Sequence, residues 1–173
     1  MLDSDGVTAV SLRARRRADQ SMTDIVIALE SPRQDDVILL IDELDRYQES
    51  LYPPESNHLL DLDTLAAPDV RFFVARRRGE ALGCGALRID PAGYAEVKRM
   101  FVLPAARGLK LGQRILDRLE EQARREGFAC VRLETGIHQA AALALYRGAG
   151  YVERGPFGDY QPDPLSVFME KTL

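Results

Sequence analysis

Between residues 94 and 135 the hydrophobic repeat of the chain changes twice, and this constrains the fold more than any other feature. Residues 94–103 read as a strand. From Gly108 to Glu126 the apolar positions Leu111, Ile115, Leu116, Leu119 and Ala123 recur at helical spacing, and Gly127 stops the helix. Residues 129–135 are an apolar strand again. A strand, a helix and a strand of these lengths form a crossover, so the two strands are predicted to run parallel with the helix on one face. Upstream, residues 71–76, 81–89 and 94–103 are separated by Arg78-Gly79-Glu80 and Pro91-Ala92-Gly93. Those turn signals predict two consecutive hairpins. The fold class is therefore α/β (α+β), with a mixed, mostly antiparallel sheet.

The flanking segments extend this frame. Residues 25–29 read as a first strand. Ser31-Pro32-Arg33-Gln34 has the form of a capping box with proline at the first helical position. Val37, Leu40, Ile41 and Leu44 then mark an amphipathic helix, which Tyr52-Pro53-Pro54 breaks. A shorter helix is expected over residues 56–65, and another over 139–149, ended by Gly150. Residues 151–153 and 165–170 read as a closing pair of strands joined by the loop 154–164. The count is seven strands and four helices in one domain, residues 23–173.

Size and composition agree with a globular domain. The chain has 173 residues, 46% apolar and 29% charged. No apolar run is long enough to span a bilayer as a helix, and the polar N-terminus lacks the pattern of a secretory signal. The net charge of −4 does not imply a nucleic-acid surface. Arg13, Arg15, Arg16 and Arg17 lie ahead of a second methionine, Met22. Residues 1–22 read as a disordered leader, or as residues upstream of the native start. Cys84 and Cys130 lie in apolar runs without metal-type spacing, as expected of reduced, buried thiols in a cytoplasmic protein.

The chemistry is written in Val102-Leu103-Pro104-Ala105-Ala106-Arg107-Gly108-Leu109-Lys110-Leu111-Gly112. It is a strand end, a glycine-containing turn and a helix start. The first turn of a helix carries unpaired amides and the positive end of the macrodipole, and so can hold a phosphate or pyrophosphate. Gly108 and Gly112 permit close approach. Taken alone, the same turn is equally a helix start with two packing glycines. A nucleotide P-loop is excluded, because the Gly-Lys-Ser/Thr ending is absent.

The segment resembles the acetyl-coenzyme A motif of Gcn5-related N-acetyltransferases (GNAT), whose turn reads Arg/Gln-x-x-Gly-x-Gly/Ala after an apolar-Val-x-Pro strand end. Phe101-Val102-Leu103-Pro104 and Arg107-x-x-Lys110-x-Gly112 fill that frame, with Lys110 standing where the family has glycine. Ala142-Leu143-Ala144-Leu145-Tyr146-Arg147-Gly148-Ala149-Gly150-Tyr151 is similar to the family's Ala-x-x-Leu-Tyr-x-x-x-Gly-Phe helix, and Gln139 replaces its frequent asparagine. The order of elements matches from Ile25 to Glu170.

The resemblance implies a sheet with a V-shaped splay between its fourth and fifth strands, and acetyl-CoA as the acyl donor. It implies a cofactor site made by Met100, Phe101, Val102, Arg107, Gly108, Leu109, Lys110, Leu111, Gly112, Gln113 and Gln139. Direct attack by an amine on the thioester is then expected, with Tyr146 protonating the leaving thiolate and Glu96, ahead of Glu134, as base because the family often keeps its base on that strand. A bulge near Lys98 and Arg99 can free an amide for the oxyanion. The acceptor is expected to meet Glu55, His58, Arg88, Asp159 and Tyr160. Glu55 and Asp159 suit a cationic, polyamine-like amine, whereas Arg88 suits the carboxylate of an amino acid. His58 and His138 lack the partners of a metal site, so no metal is expected. A small-molecule amine is the expected partner, with neither nucleic acid nor membrane involved, and homodimers are common in the family. Two other readings fit the same motifs: a catalytically silent acyl-CoA sensor, and a protein or peptide N-acetyltransferase.

Overall fold

A computed structural model of the chain describes residues 24–56 and 60–173. The elements follow in the order β1 (Ile25–Leu29), α1 (Asp35–Glu49), α2 (Leu62–Leu65), β2 (Val70–Arg77), β3 (Glu80–Asp90), β4 (Tyr94–Val102), α3 (Leu111–Arg125), β5 (Cys130–Gly136), α4 (Ala140–Gly148), β6 (Val152–Arg154) and β7 (Ser166–Thr172). Short 3-10 turns occupy Pro54–Ser56 and Pro104–Ala106. The strands form one sheet in the order β1-β2-β3-β4-β5-β7-β6. Every pairing is antiparallel except β4 with β5, the pair that α3 connects. Residues 1–23 and His58 lie outside the described residues, so the expected leader and the acceptor role of His58 do too. Among the described residues, no helix is long and apolar enough to cross a membrane.

Both faces of the sheet are covered, so the central strands are buried on both sides. Phe73 and Ala75 point to the face that Ile115, Leu116, Leu119 and Ala123 of α3 cover. Phe72 and Val74, on the opposite pleat, meet Val37, Leu40, Ile41 and Leu44 of α1 and Leu65 of α2. This explains why β2 reads as a continuous apolar run rather than an alternation. The β2–β3 turn has positive φ at Arg78 (52°) and Gly79 (88°), as a two-residue type I′ hairpin requires. The β3–β4 turn has Gly93 at 89°, and Asp90 Oδ1 accepts from Ala92 N at 2.8 Å.

Two expected helix starts are displaced. α1 begins at Asp35, not within Ser31–Gln34, and Gln34 is an extended N-cap with no side-chain capping bond. Ser31 Oγ instead accepts from Arg33 N within the turn (3.2 Å), and Gln34 Nε2 donates to Glu30 (2.8 Å). Glu30 and Asp36 also hold Arg76 of β2, so a charged cluster spanning strand and helix engages Gln34 in place of the expected capping box. The helix expected over residues 56–65 is a 3-10 turn and, after the gap in the description, one four-residue helix capped by Asp61, which accepts from Thr64 N at 2.7 Å.

Pairing between β4 and β5 is confined to Ala95, Glu96 and Val97 against Val131, Arg132 and Leu133. Beyond them the two strands part. On its other side β4 carries a bulge: Cys84 pairs with Phe101 and Ala86 with Lys98, leaving Gly85 opposite both Arg99 and Met100. Arg99 has φ 56°, unusual for a side-chain-bearing residue. A Cβ at Gly85 would lie 2.8 Å from both Ile115 Cγ2 and Met100 Sδ, so the bulge and the approach of α3 both depend on that glycine.

Candidate active site

The parted strands leave two clefts and a small chamber between them. The first cleft, about 650 Å³, lies between the ends of α1 and β4, the turn before α3 and the start of α4. Met100, Phe101, Val102, Arg107, Gly108, Lys110, Leu111, Gly112, Gln113, Gln139 and Tyr146 all line it. Leu109 does not; it packs against the main core. Gly108 turns the chain at φ 87°. Arg114 N pairs back to Lys110 O (3.1 Å), so by helix geometry the amides of Leu111, Gly112 and Gln113 lack intrahelical acceptors. The turn thus fits a diphosphate by main-chain donors at a helix N-terminus, and the apolar remainder of the cleft fits a pantetheine arm.

Lys110 stands where the family has glycine. A side-chain-bearing residue fits there without strain only if the turn does not require positive φ. It does: Lys110, the N-cap of α3, is left-handed (φ 52°, ψ 26°). That conformation costs a non-glycine residue roughly 1–2 kcal/mol. Gly112 has a second duty, because a Cβ there would come within 3.3 Å of Leu145 Cδ2 on α4.

The second cleft, about 700 Å³, is lined by Glu55, Arg88, Asp159 and Tyr160 of the expected acceptor residues, and also by Glu96 and Lys98. Its inner wall is a hydrogen-bonded unit. Tyr160 Oη donates to Glu96 Oε1 (2.6 Å), Lys98 Nζ donates to Tyr160 Oη, and Lys98 Nζ lies 3.3 Å from Glu96 Oε1. Burial and the neighbouring Glu96 charge push the Tyr160 phenol far up, so it stays protonated. Tyr94, Phe157 and Phe168 form the aromatic floor beneath it. Arg88 sits on the rim, 43% exposed, 3.5 Å from Asp69.

The chamber, about 50 Å³, joins the clefts. Met100, Gln139 and Tyr146 line both it and the first cleft, while Ser56 and Lys98 line both it and the second. Gln48, Tyr52, Val97, Arg99, Glu134, Thr135 and Gly136 complete its wall. The two carboxylates therefore differ in place: Glu134 faces the chamber, and Glu96 faces the outer cleft. Glu134 Oε1 accepts from Ser166 Oγ at 2.7 Å. Burial, reinforced by the Glu134 charge, pushes the Tyr146 phenol above its ordinary value. At neutral pH it is the protonated form, the one able to donate.

Tyr52, in the break after α1, lines the chamber, and its anchoring is not visible in the sequence. Its hydroxyl accepts from His138 N (2.9 Å), and its ring stacks on His138 at 5.6 Å. A Cβ on Gly136 would lie 2.0 Å from Tyr52 Oη. The missing side chain at the end of β5 is what lets the loop after α1 close over the parted strands. Cys84, fully buried, has its thiol pushed up to about 12 by burial, whereas Cys130 is only half-buried, contrary to the expected pair of buried thiols.

A parted sheet with a helix-start cleft on one side and a charged cleft on the other is the architecture of N-acetyltransferases that use an acyl-CoA donor. The family model described as Acetyltransferase (GNAT) family matches residues 38–151, and the chain belongs to that family. A protein of Azospirillum brasilense called an IAA acetyltransferase is 61% identical over 153 residues, covering 88% of this chain and all of that one. A crystal structure from Klebsiella pneumoniae, assigned as an acyl-CoA N-acyltransferase, is 43% identical, with a TM-score of 0.73 over 86% of this chain and 97% of that one. The aminoalkylphosphonate N-acetyltransferase of Salmonella typhimurium is 33% identical over 92 residues, 50% of this chain and 60% of that protein.

Proposed function

We propose that this N-acetyltransferase moves the acetyl group of acetyl-CoA to the amine of a small molecule, an amino acid or a polyamine-like compound, by direct attack. The chamber carries this reading: among the described residues it is where the linings of the two clefts meet, and its volume of about 50 Å³ matches small reacting groups. A small acceptor is also what the name of the Salmonella relative describes for that protein.

The chain's own residues fill the required roles. Main-chain amides at the start of α3 hold the diphosphate. An amide released by the Arg99–Met100 bulge stabilises the oxyanion as the amine nitrogen bonds to the thioester carbon. Glu134 takes the proton from the amine. Tyr146 gives its proton to sulfur as the carbon–sulfur bond breaks. Glu96, engaged by Tyr160 and Lys98, shapes the acceptor cleft and reaches the chamber only through them.

The test is a thiol-release screen of amino acids, polyamines, aminoglycosides and peptides, with calorimetry of acetyl-CoA and CoA. Turnover of small amines supports the proposal. Binding of acetyl-CoA with no thiol release against the whole panel favours the silent sensor, and selective acetylation of peptides favours the protein-modifying reading. Full pH–rate profiles of Glu134→Ala and Glu96→Ala decide the base. Loss of an ionisation in the Glu96 variant alone reverses the assignment.

A further inference from the structure

Resting on the acetyl-transfer reading above, we infer that the acceptor carries a carboxylate close to its reacting amine, and that Arg99, rather than the rim residue Arg88, receives it.

Arg99 sits on the bulge where β4 leaves β5, in a left-handed backbone conformation, and lines the chamber. Its side chain is only 3% exposed. Asp45 of α1 is its ion-pair partner, with Nη1 2.5 Å from Oδ1. Yet Nε, Nη1 and Nη2 of Arg99 and Oδ1 of Asp45 are all buried without a completed hydrogen bond. So is Oε1 of Gln48, three residues after Asp45 on α1 and also in the chamber wall. Buried donors left unsatisfied are costly and few in native proteins. A guanidinium offers a planar fork of donors that matches a carboxylate in two parallel bonds. Strained backbone concentrates at places that bind or react.

Donor chemistry, not net charge, selects the ligand, because Glu96 and Asp45 answer the two cations of the chamber. Two cations, Lys98 and Arg99, and one carboxylate, Glu134, line the chamber. Lys98 is already tied to Tyr160 and Glu96, and Asp45 is not part of the wall. Asp45 meets Arg99 through Nη1, so Nε and Nη2 remain buried donors that a carboxylate can accept from and a second ammonium cannot. Arg88 lies outside, half-exposed, beside Asp69. The chamber, about 50 Å³, is far smaller than the outer cleft of about 700 Å³, so the acceptor's side chain extends into the outer cleft. This describes an α-amino acid, or an amine with its carboxylate a carbon or two away.

The experiment measures thiol release by the full chain with acetyl-CoA and matched acceptors: each α-amino acid, its carboxamide and its decarboxylated amine. The acid of the best-used set should be preferred by at least about tenfold in kcat/KM, the scale of a charge-assisted hydrogen bond. Arg99→Gln should remove most of that preference through KM for the acid, with calorimetric affinity for acetyl-CoA unchanged, and Arg99→Lys should keep part of it. Equal use of acids and carboxamides by the wild-type enzyme overturns the inference, and needs no variant to fold. An equal loss on both acceptors in Arg99→Gln also overturns it, making Arg99 a strut beneath α1. Turnover confined to amines without a carboxylate sinks this inference and leaves acetyl transfer standing. Bound acetyl-CoA with no turnover of any amine sinks both.

Discussion

The two clefts are built from different materials. The first is made of main chain: a strand end, a glycine at φ 87° and the opening amides of α3, with apolar side chains around them. The second is made of side chains drawn from β3, β4 and the loop before β7, held by a phenol, an ammonium and a carboxylate that bond one another. A backbone site tolerates side-chain change so long as the turn survives. A side-chain site changes its ligand with a single substitution. One fold can therefore keep its donor while its acceptor varies.

Four substitutions can break or sharpen that contrast. The largest effect is expected where the clefts meet. Tyr146→Phe should lower kcat by about 100-fold or more while leaving acetyl-CoA affinity intact, as loss of a general acid does. An unchanged rate removes Tyr146 from the chemistry. Gly136→Ala should be next, because its Cβ collides with the Tyr52 ring. Overpacking of this kind costs about 1–3 kcal/mol, read as a lower melting temperature, and the displaced Tyr52 should raise KM for the amine. Lys98→Met should raise KM for the amine about tenfold, the scale of one lost charge-assisted bond, with cofactor affinity unmoved. If cofactor affinity falls instead, the clefts are not separable. The smallest effect is a gain: Lys110→Gly should stabilise the protein by about 1 kcal/mol by relieving the left-handed N-cap, and calorimetry should find acetyl-CoA binding retained. Lost binding assigns the lysine side chain to the phosphates and ends the description of that cleft as a backbone site.

The same contrast decides what the sequence discloses. The hairpins, the crossover and the bulge near Lys98 and Arg99 were legible because turn residues and hydrophobic period report backbone geometry directly. The cofactor turn was legible for the same reason, although the lysine in its left-handed position was not foreseen. The network of Glu96, Lys98 and Tyr160 was only half visible. Glu96 and Tyr160 were singled out separately, but 64 positions divide them and no pattern links a strand carboxylate to a loop phenol. Tyr52 and Gly136 are farther apart still. Gly136 carried no turn signal, because its role is to leave room for a ring from another part of the chain. Arg99 was read for its backbone alone, since burial of a guanidinium is a tertiary outcome. The misplaced start of α1 has a similar origin: Gln34 is drawn to Glu30, which pairs with Arg76 of a distant strand.

The sealed thiol of Cys84 has a practical consequence at the bench. With its ionisation pushed up to about 12 and no exposed surface, it stays silent toward disulfide-exchange dyes at the alkaline pH such dyes prefer. Only Cys130 can then add protein background to a colorimetric count of liberated CoA. A Cys130→Ser enzyme should give a flat baseline, so that slow acceptors become measurable.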